Sequence, residues 1–192
     1  IKSANNIINN KHKSAKVDVL SIGKKSSEYF SKNKSNINSI HDDLYNDLSF
    51  EKVSIISEEI IKQFTDKKYD KVLLVYNQFK NAATQVVINE KYLPISNNKN
   101  EEKRGTGEYL FEPKKEEIVE QIIPKSLKIQ LFKAILDSHA AEHGARMTAM
   151  HKATDNAGEL KKELTLTYNK ARQAAITGEI LEIVGGAEAL NS

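Results

Sequence analysis

The chain has 192 residues, enough for one α/β domain with an appendage, and no stretch in it approaches the roughly 20 uninterrupted apolar residues of a membrane span. It contains no cysteine, which excludes a disulfide framework, a thiolate metal site and a cysteine nucleophile together. Its 29 basic and 26 acidic residues leave a net charge of only +3, far below the footprint of a nucleic-acid binder, and the 39% hydrophobic content gives limited material for one compact core.

The chain opens at Ile1–Asn9 on what reads as the last turns of a helix, so the first strand of an α/β domain is expected to lie upstream. Val17–Gly23 and Lys71–Tyr76 read as buried strands, the second rich in Val and Leu. Between them, Ile55, Ile56, Glu59, Ile60, Gln63 and Phe64 fall at helical spacing. Thr84–Asn89 and Glu108–Phe111 are two further strand candidates, with Ser96–Thr106 as a polar loop between them. This alternation predicts a small Rossmann-like α/β head over residues 1–113, with a mainly parallel sheet.

From Lys114 the composition changes. Residues 114–192 carry 11 basic and 11 acidic side chains, so the whole net charge belongs to the head. Lys125–Val184 is rich in Ala, Leu, Glu, Lys and Gln, the residues that lose least on entering a helix. A heptad seam runs through Ile129, Phe132, Leu136, His139, His143, Arg146, Met150 and onward to Gly178 and Leu181. Eleven of its sixteen positions are apolar, a narrow stripe of the coiled-coil kind. Lys125–Gly185 would make a rod of roughly 90 Å, most of it projecting from the head. Gly144, Gly158 and Gly178 weaken such a helix, and their presence predicts close approach by another backbone.

Catalytic signatures are sparse. There is no GxxxxGK[ST] phosphate loop, and Gly105-Thr106-Gly107 lacks both the third glycine and the strand-to-helix context of a dinucleotide turn. His139-Ala140-Ala141-Glu142-His143 matches the HxxEH pattern of a zinc hydrolase, with two imidazoles one helical turn apart. The downstream acids Glu159, Glu163 and Glu179 lie roughly 24 to 60 Å along the same helix and cannot close a catalytic zinc site, so both histidines are read as residues of a coiled-coil face.

The runs Ala141–Met150, Ala153–Ala157, Leu164–Thr177 and Glu179–Ala187 resemble the gamma subunit of the F-type ATP synthases. Val75–Val87 and Phe111-Glu112-Pro113 agree more loosely, so the resemblance covers essentially the whole chain. It implies a central-stalk rotor subunit: an α/β head followed by a long C-terminal helix, residues 114–192, that forms half of an antiparallel coiled coil. The other half, an N-terminal helix, would precede Ile1. The implied partners are that helix, the alpha and beta subunits, the epsilon subunit and the c-ring. No cofactor, metal, nucleic acid or direct membrane insertion is implied, and no catalytic site on the chain itself. The implied location is peripheral, on the cytoplasmic face of a bacterial inner membrane or on the mitochondrial matrix side.

The resemblance also assigns roles by position. Arg172 and Gln173 match a pair that contacts acidic loops of the beta subunits, while Arg146, Thr177 and Glu179 match functionally sensitive positions. Ile176, Ile180, Leu181, Ile183 and Val184 form an apolar tip with acids Glu179 and Glu182 and no Lys or Arg after Arg172. That composition suits turning inside an apolar collar without ion pairs to hold it. A different class, a coiled-coil adaptor with an α/β head, is the alternative reading.

Overall fold

The computed structural model describes residues 1–11, 15–33, 35–95 and 115–191. The strand expected at Glu108–Phe111, the loop Ser96–Thr106 and the Gly105-Thr106-Gly107 run lie outside the described residues. Two compact units are present, Ile1–Gly144 and Ala145–Ser192.

The first unit begins with helix α1 (Lys2–Asn6), which widens into a π turn over Ile7–Lys11. Strand β1 (Asp18–Ile22) leads to Gly23 at φ +96°, where a side chain would stand 3.2 Å from the Tyr45 ring. Helix α2 (Lys24–Lys32) follows directly, its first turn closed by the Ser26 hydroxyl donating to the Gly23 carbonyl. Ser27 donates to the Asp42 carboxylate. Strand β2 (Asn36–His41) returns parallel to β1, with Asp18 opposite Asn36 and Ile22 opposite His41. Helix α3 (Phe50–Thr65) is capped by Ser49, whose side chain accepts from the Lys52 amide. It buries Val53, Ile56, Ser57 and Ile60, at the spacing of one helical face, whereas Ile55 is 65% exposed.

Strands β3 (Val72–Asn81) and β4 (Thr84–Leu93) form an antiparallel hairpin, Val75 opposite Asn89 and Tyr76 opposite Ile88. This corrects the expectation of a mainly parallel sheet. Only Ala82 and Ala83 separate the two strands, and a parallel return needs a crossover of a dozen or more residues. The Asn81 side-chain oxygen accepts from the Ala83 amide and holds the turn. The expectation of buried strands is also revised. In β1 only Ser21 is fully buried, and the β3 residues are half-buried or exposed, Val75 and Phe79 among the exposed.

Helix α4 runs from Lys115 to Asn191. It passes through Pro124, whose ring removes the N–H that would bond the Glu120 carbonyl and crowds that carbonyl, a cost of about 3 kcal/mol. The Glu, Gln and Lys residues around it favour the helix on both sides. Within the first unit, Leu127, Leu131, Ala134, Ile135 and Ala141 of α4 are buried. Leu127, Leu131 and Ile135 join Leu44, Val53, Ile56, Ile60, Tyr92 and Leu93 in one core. Each large aliphatic side chain so buried contributes roughly 1.5–3 kcal/mol.

A polar lock lies inside that core. The Tyr92 hydroxyl, on a residue only 1% exposed, donates to the Leu127 carbonyl at 3.1 Å. Its single proton is thereby used, so the Ser57 hydroxyl donates to it at 2.8 Å. One phenol thus ties α3, β4 and α4 together, and burial holds it protonated above the usual phenol range. Two lateral contacts reinforce it: Lys128 pairs with Glu58 at 2.5 Å, and Gln130 donates to Glu90 at 2.7 Å, a carboxylate that also accepts from Tyr76.

Glycine divides according to surroundings. A Cβ at Gly144 would lie 3.2 Å from the Ala82 Cα and carbonyl oxygen and from the Phe79 ring, so the close approach expected there exists. At Gly158 and Gly178 nothing among the described residues, apart from the local helix itself, lies within 4 Å of such a Cβ.

Tyr92→Phe should lower stability by about 1–2 kcal/mol in urea denaturation, since it leaves two buried partners without the bridging oxygen. Gly144→Leu should destabilise by about 1–3 kcal/mol through overpacking against the hairpin turn, whereas Gly158→Ala should stabilise by up to about 1 kcal/mol through helix propensity alone. Melting temperatures of the two variants should therefore move in opposite directions.

Candidate functional site

The site residues suggested by sequence all lie on α4, and the two parts of that helix behave differently. In the first unit α4 has two apolar faces. One holds Leu127, Leu131, Ala134, Ile135 and Ala141 and is buried in the core. The other is the heptad seam, on which Ile129 and Leu136 are 50% and 42% exposed. At about 100° per residue the two stripes are separated by about 140° round the helix. The seam is therefore not the face that holds α4 to its head. Its edge still touches the head at two rings: Phe132 meets Phe50 edge-on at 5.5 Å, and His139 stacks on Tyr45 at 5.2 Å. His139 thus contacts the head as well as lying on the seam.

The gripping residues Tyr92, Ser57, Glu90, Gln130 and Tyr45 were not singled out by sequence. The i, i+4, i+7 series of Leu127, Leu131 and Ala134 is the one pattern that carries a signal for them.

His139 and His143 are brought together, with their Nε2 atoms 3.0 Å apart. No group of three or more His, Cys, Asp or Glu side chains able to hold a metal is found among the described residues.

In the second unit the helix is exposed almost throughout. Arg146, Arg172, Gln173, Thr177 and Glu179 all have exposed side chains. Arg146 lies roughly 39 Å along the axis from Arg172, so the structure does not gather these five into one site. Arg172 to Glu179 do share two turns: Arg172, Ile176, Glu179, Ile180 and Ile183 fall within about 100° of one another, with Gln173, Thr177 and Val184 on the adjoining face. Ile176, Ile180, Leu181, Ile183 and Val184 are 47–72% exposed, a continuous apolar surface in water. A second apolar strip joins Ala157, Leu160, Leu164 and Tyr168. Three threonine hydroxyls on this part of the helix are turned inward: Thr154, Thr165 and Thr167 donate to the carbonyls four residues back at 2.8–3.0 Å. Among the described residues no helix is long and apolar enough to cross a membrane.

A family model described as ATP synthase matches residues 1–190. The chain is 56% identical over 191 residues to the ATP synthase gamma chain of Christiangramia forsetii, covering 100% of this chain and 66% of that one. It is 59% identical to that of Flavobacterium johnsoniae, covering 91% of this chain and 61% of that one. The chain thus spans slightly under two thirds of the length of these relatives. Among solved structures it is similar to a chain of the Euglena gracilis mitochondrial ATP synthase, OSCP/F1/c-ring in rotational state 3, with a TM-score of 0.62 at 21% identity over 97% of this chain and 67% of that one. A chain of the Tetrahymena thermophila mitochondrial ATP synthase central stalk and c-ring gives a TM-score of 0.54 at 26% identity, covering 71% of this chain and 60% of that one. The Cytophaga hutchinsonii ATP synthase gamma chain is 49% identical over 199 residues, and this chain covers 68% of it. By its family model and its relatives, the chain belongs to the gamma-chain family of the ATP synthases.

Proposed function

We propose that the chain is the central-stalk rotor of an F-type ATP synthase, coupling proton-driven rotation to ATP synthesis or hydrolysis at the beta subunits. The carrying observation is the division of α4. One face of its first part is locked into an α/β head by core packing and the Tyr92 bridge, while its continuation presents nearly every side chain outward. A head that holds one end of a helix against twisting is what torque transfer requires. In this reading residues 1–113 form the head and 114–192 the shaft, and the exposed seam takes a second helix in an antiparallel coiled coil.

The shaft works by asymmetry. Three chemically equal beta subunits meet different faces of one helix, and each is biased toward a different nucleotide affinity by the contacts made in that orientation; every 1.4 kcal/mol of differential contact is about a tenfold bias. Arg172 offers five fixed donors and Gln173 both donors and an acceptor, a polar catch for acidic loops. Arg146, Thr177 and Glu179 contribute further orientation-dependent contacts. The tip from Ile176 to Val184 turns within an apolar collar, where the absence of Lys or Arg after Arg172 avoids ion pairs that would resist release. Chemistry at the nucleotide belongs to the beta subunits, and the epsilon subunit and c-ring engage the head. The complex lies peripherally on the cytoplasmic face of a bacterial inner membrane.

In the reconstituted complex, Arg172→Ala combined with Gln173→Ala should lower ATP turnover or coupling by about tenfold, the scale of one lost charge-assisted hydrogen bond. Circular dichroism of the chain should be unchanged, because both side chains are exposed on an intact helix. Wild-type turnover and coupling in the double variant would count against the catch.

A further inference from the structure

Helix α4 is attached to the β3–β4 hairpin at both ends of the hairpin. The near attachment is the Tyr92 bond to the Leu127 carbonyl at 3.1 Å. The far one is the turn: Gly144 is buried, and a Cβ there would stand 3.2 Å from the Ala82 Cα, the Ala82 carbonyl oxygen and the Phe79 ring. We propose that the hairpin is a splint for the base of the shaft, and that Ala82, Gln85 and Gly144 are positioning residues that hold its far end on the helix. The proposal rests on the rotor reading, because a splint matters to a helix that carries torque.

The lengths match. Leu127 to Gly144 covers about 26 Å of helix axis, and Tyr92 back to Thr84 about 27 Å of strand. Contacts between the two ends show that the hairpin follows α4. Gln130 donates to Glu90 at 2.7 Å, and Tyr76 donates to the same carboxylate at 3.1 Å. Burial, then Glu90 and then the Asp137 charge hold the Tyr76 phenol protonated above its usual range, so Asp137 faces the hairpin as well. Along β4 the covered residues Ile88, Glu90 and Tyr92 alternate with the exposed Val87, Asn89 and Lys91. The turn is itself braced: the Asn81 side-chain oxygen accepts from the Ala83 amide, and the Gln85 amide donates to the Ala82 carbonyl, each at 3.1 Å. That carbonyl is one of the atoms packed on Gly144, so Gln85 fixes the surface that meets the helix. A helix pinned at one carbonyl can still twist beyond it. Pinned again about 26 Å further on, the turns between cannot rotate without dragging the hairpin ladder. Gln130, Asp137 and Gly144 recur every seven residues, within about 40° of one another and about 120° round α4 from the seam. A partner helix on the seam and the hairpin therefore use different faces, and both fit in the complex.

The test uses the whole ATP synthase complex containing this chain, with the catalytic ring immobilised and a bead fixed to the head. Between catalytic steps, the width of the bead's angular distribution reports torsional compliance. Gln85→Ala frees the Ala82 carbonyl and Gly144→Leu unseats the turn, so each should widen that distribution. In Gln85→Ala, amide exchange from Asn81 to Thr84 should quicken by up to about tenfold, the scale of one lost hydrogen bond. Phe30→Leu, a buried change outside the core that holds α4, should lower the melting temperature and leave the width unaltered. Wild-type widths in both Gln85→Ala and Gly144→Leu, or equal widening in Phe30→Leu, would overturn the splint while the wild-type bead still rotates with ATP. A wild-type bead that does not rotate would overturn the rotor reading and the splint with it, so the two failures are told apart.

Discussion

The structure depends on one buried phenol placed where three elements meet. Tyr92 stands at the end of β4, receives a proton from Ser57 of α3 and gives its own to a backbone carbonyl of α4. A carbonyl acceptor fixes the position of the helix along its axis, because the bond is made to one residue and not to a face. Core packing alone would tolerate some sliding of aliphatic side chains; a hydrogen bond in a region without water is directional and costly to leave unmade. The turns of α4 that follow within the first unit inherit the register set at Leu127.

The two apolar stripes of α4 explain how much of this was legible in sequence. Helical composition and the heptad pattern are plain from Lys125 onward, and so is the helix around Ile56 and Ile60. Which stripe faces the head is not, because Leu127, Leu131 and Ile135 have the same chemistry and spacing as Ile129, Phe132 and Leu136. Periodicity reports that a face is apolar and is silent about what covers it. Strand β2 is hidden for the opposite reason. Its six residues hold only Ile37 and Ile40 among Asn, Ser and His, and its strand character comes from pairing with β1. The hairpin was readable in principle from the two-residue gap at Ala82-Ala83, whereas strong apolar runs draw attention to parallel architecture.

The candidate functional residues were legible only through resemblance. In the proposed reading, the contacts that give an exposed Arg172-Gln173 pair or an isoleucine-rich helix end its meaning lie on other molecules, where composition cannot disclose them. Gly144 is the exception: a glycine in a helix interior is costly unless something needs the space, and the hairpin turn occupies it. Gly158 and Gly178 have the same sequence signal with no such neighbour among the described residues.

The inward-turned threonines of the second unit carry a mechanical consequence. Thr154, Thr165 and Thr167 already give their protons to carbonyls of their own helix. What they show a passing surface is mostly methyl, and a neighbour that slides across them breaks no bond and leaves no donor stranded. Along this stretch, resistance to sliding would come from charged or amide side chains and not from hydroxyls, so a smooth bearing can be made from residues that a hydropathy scale counts as polar.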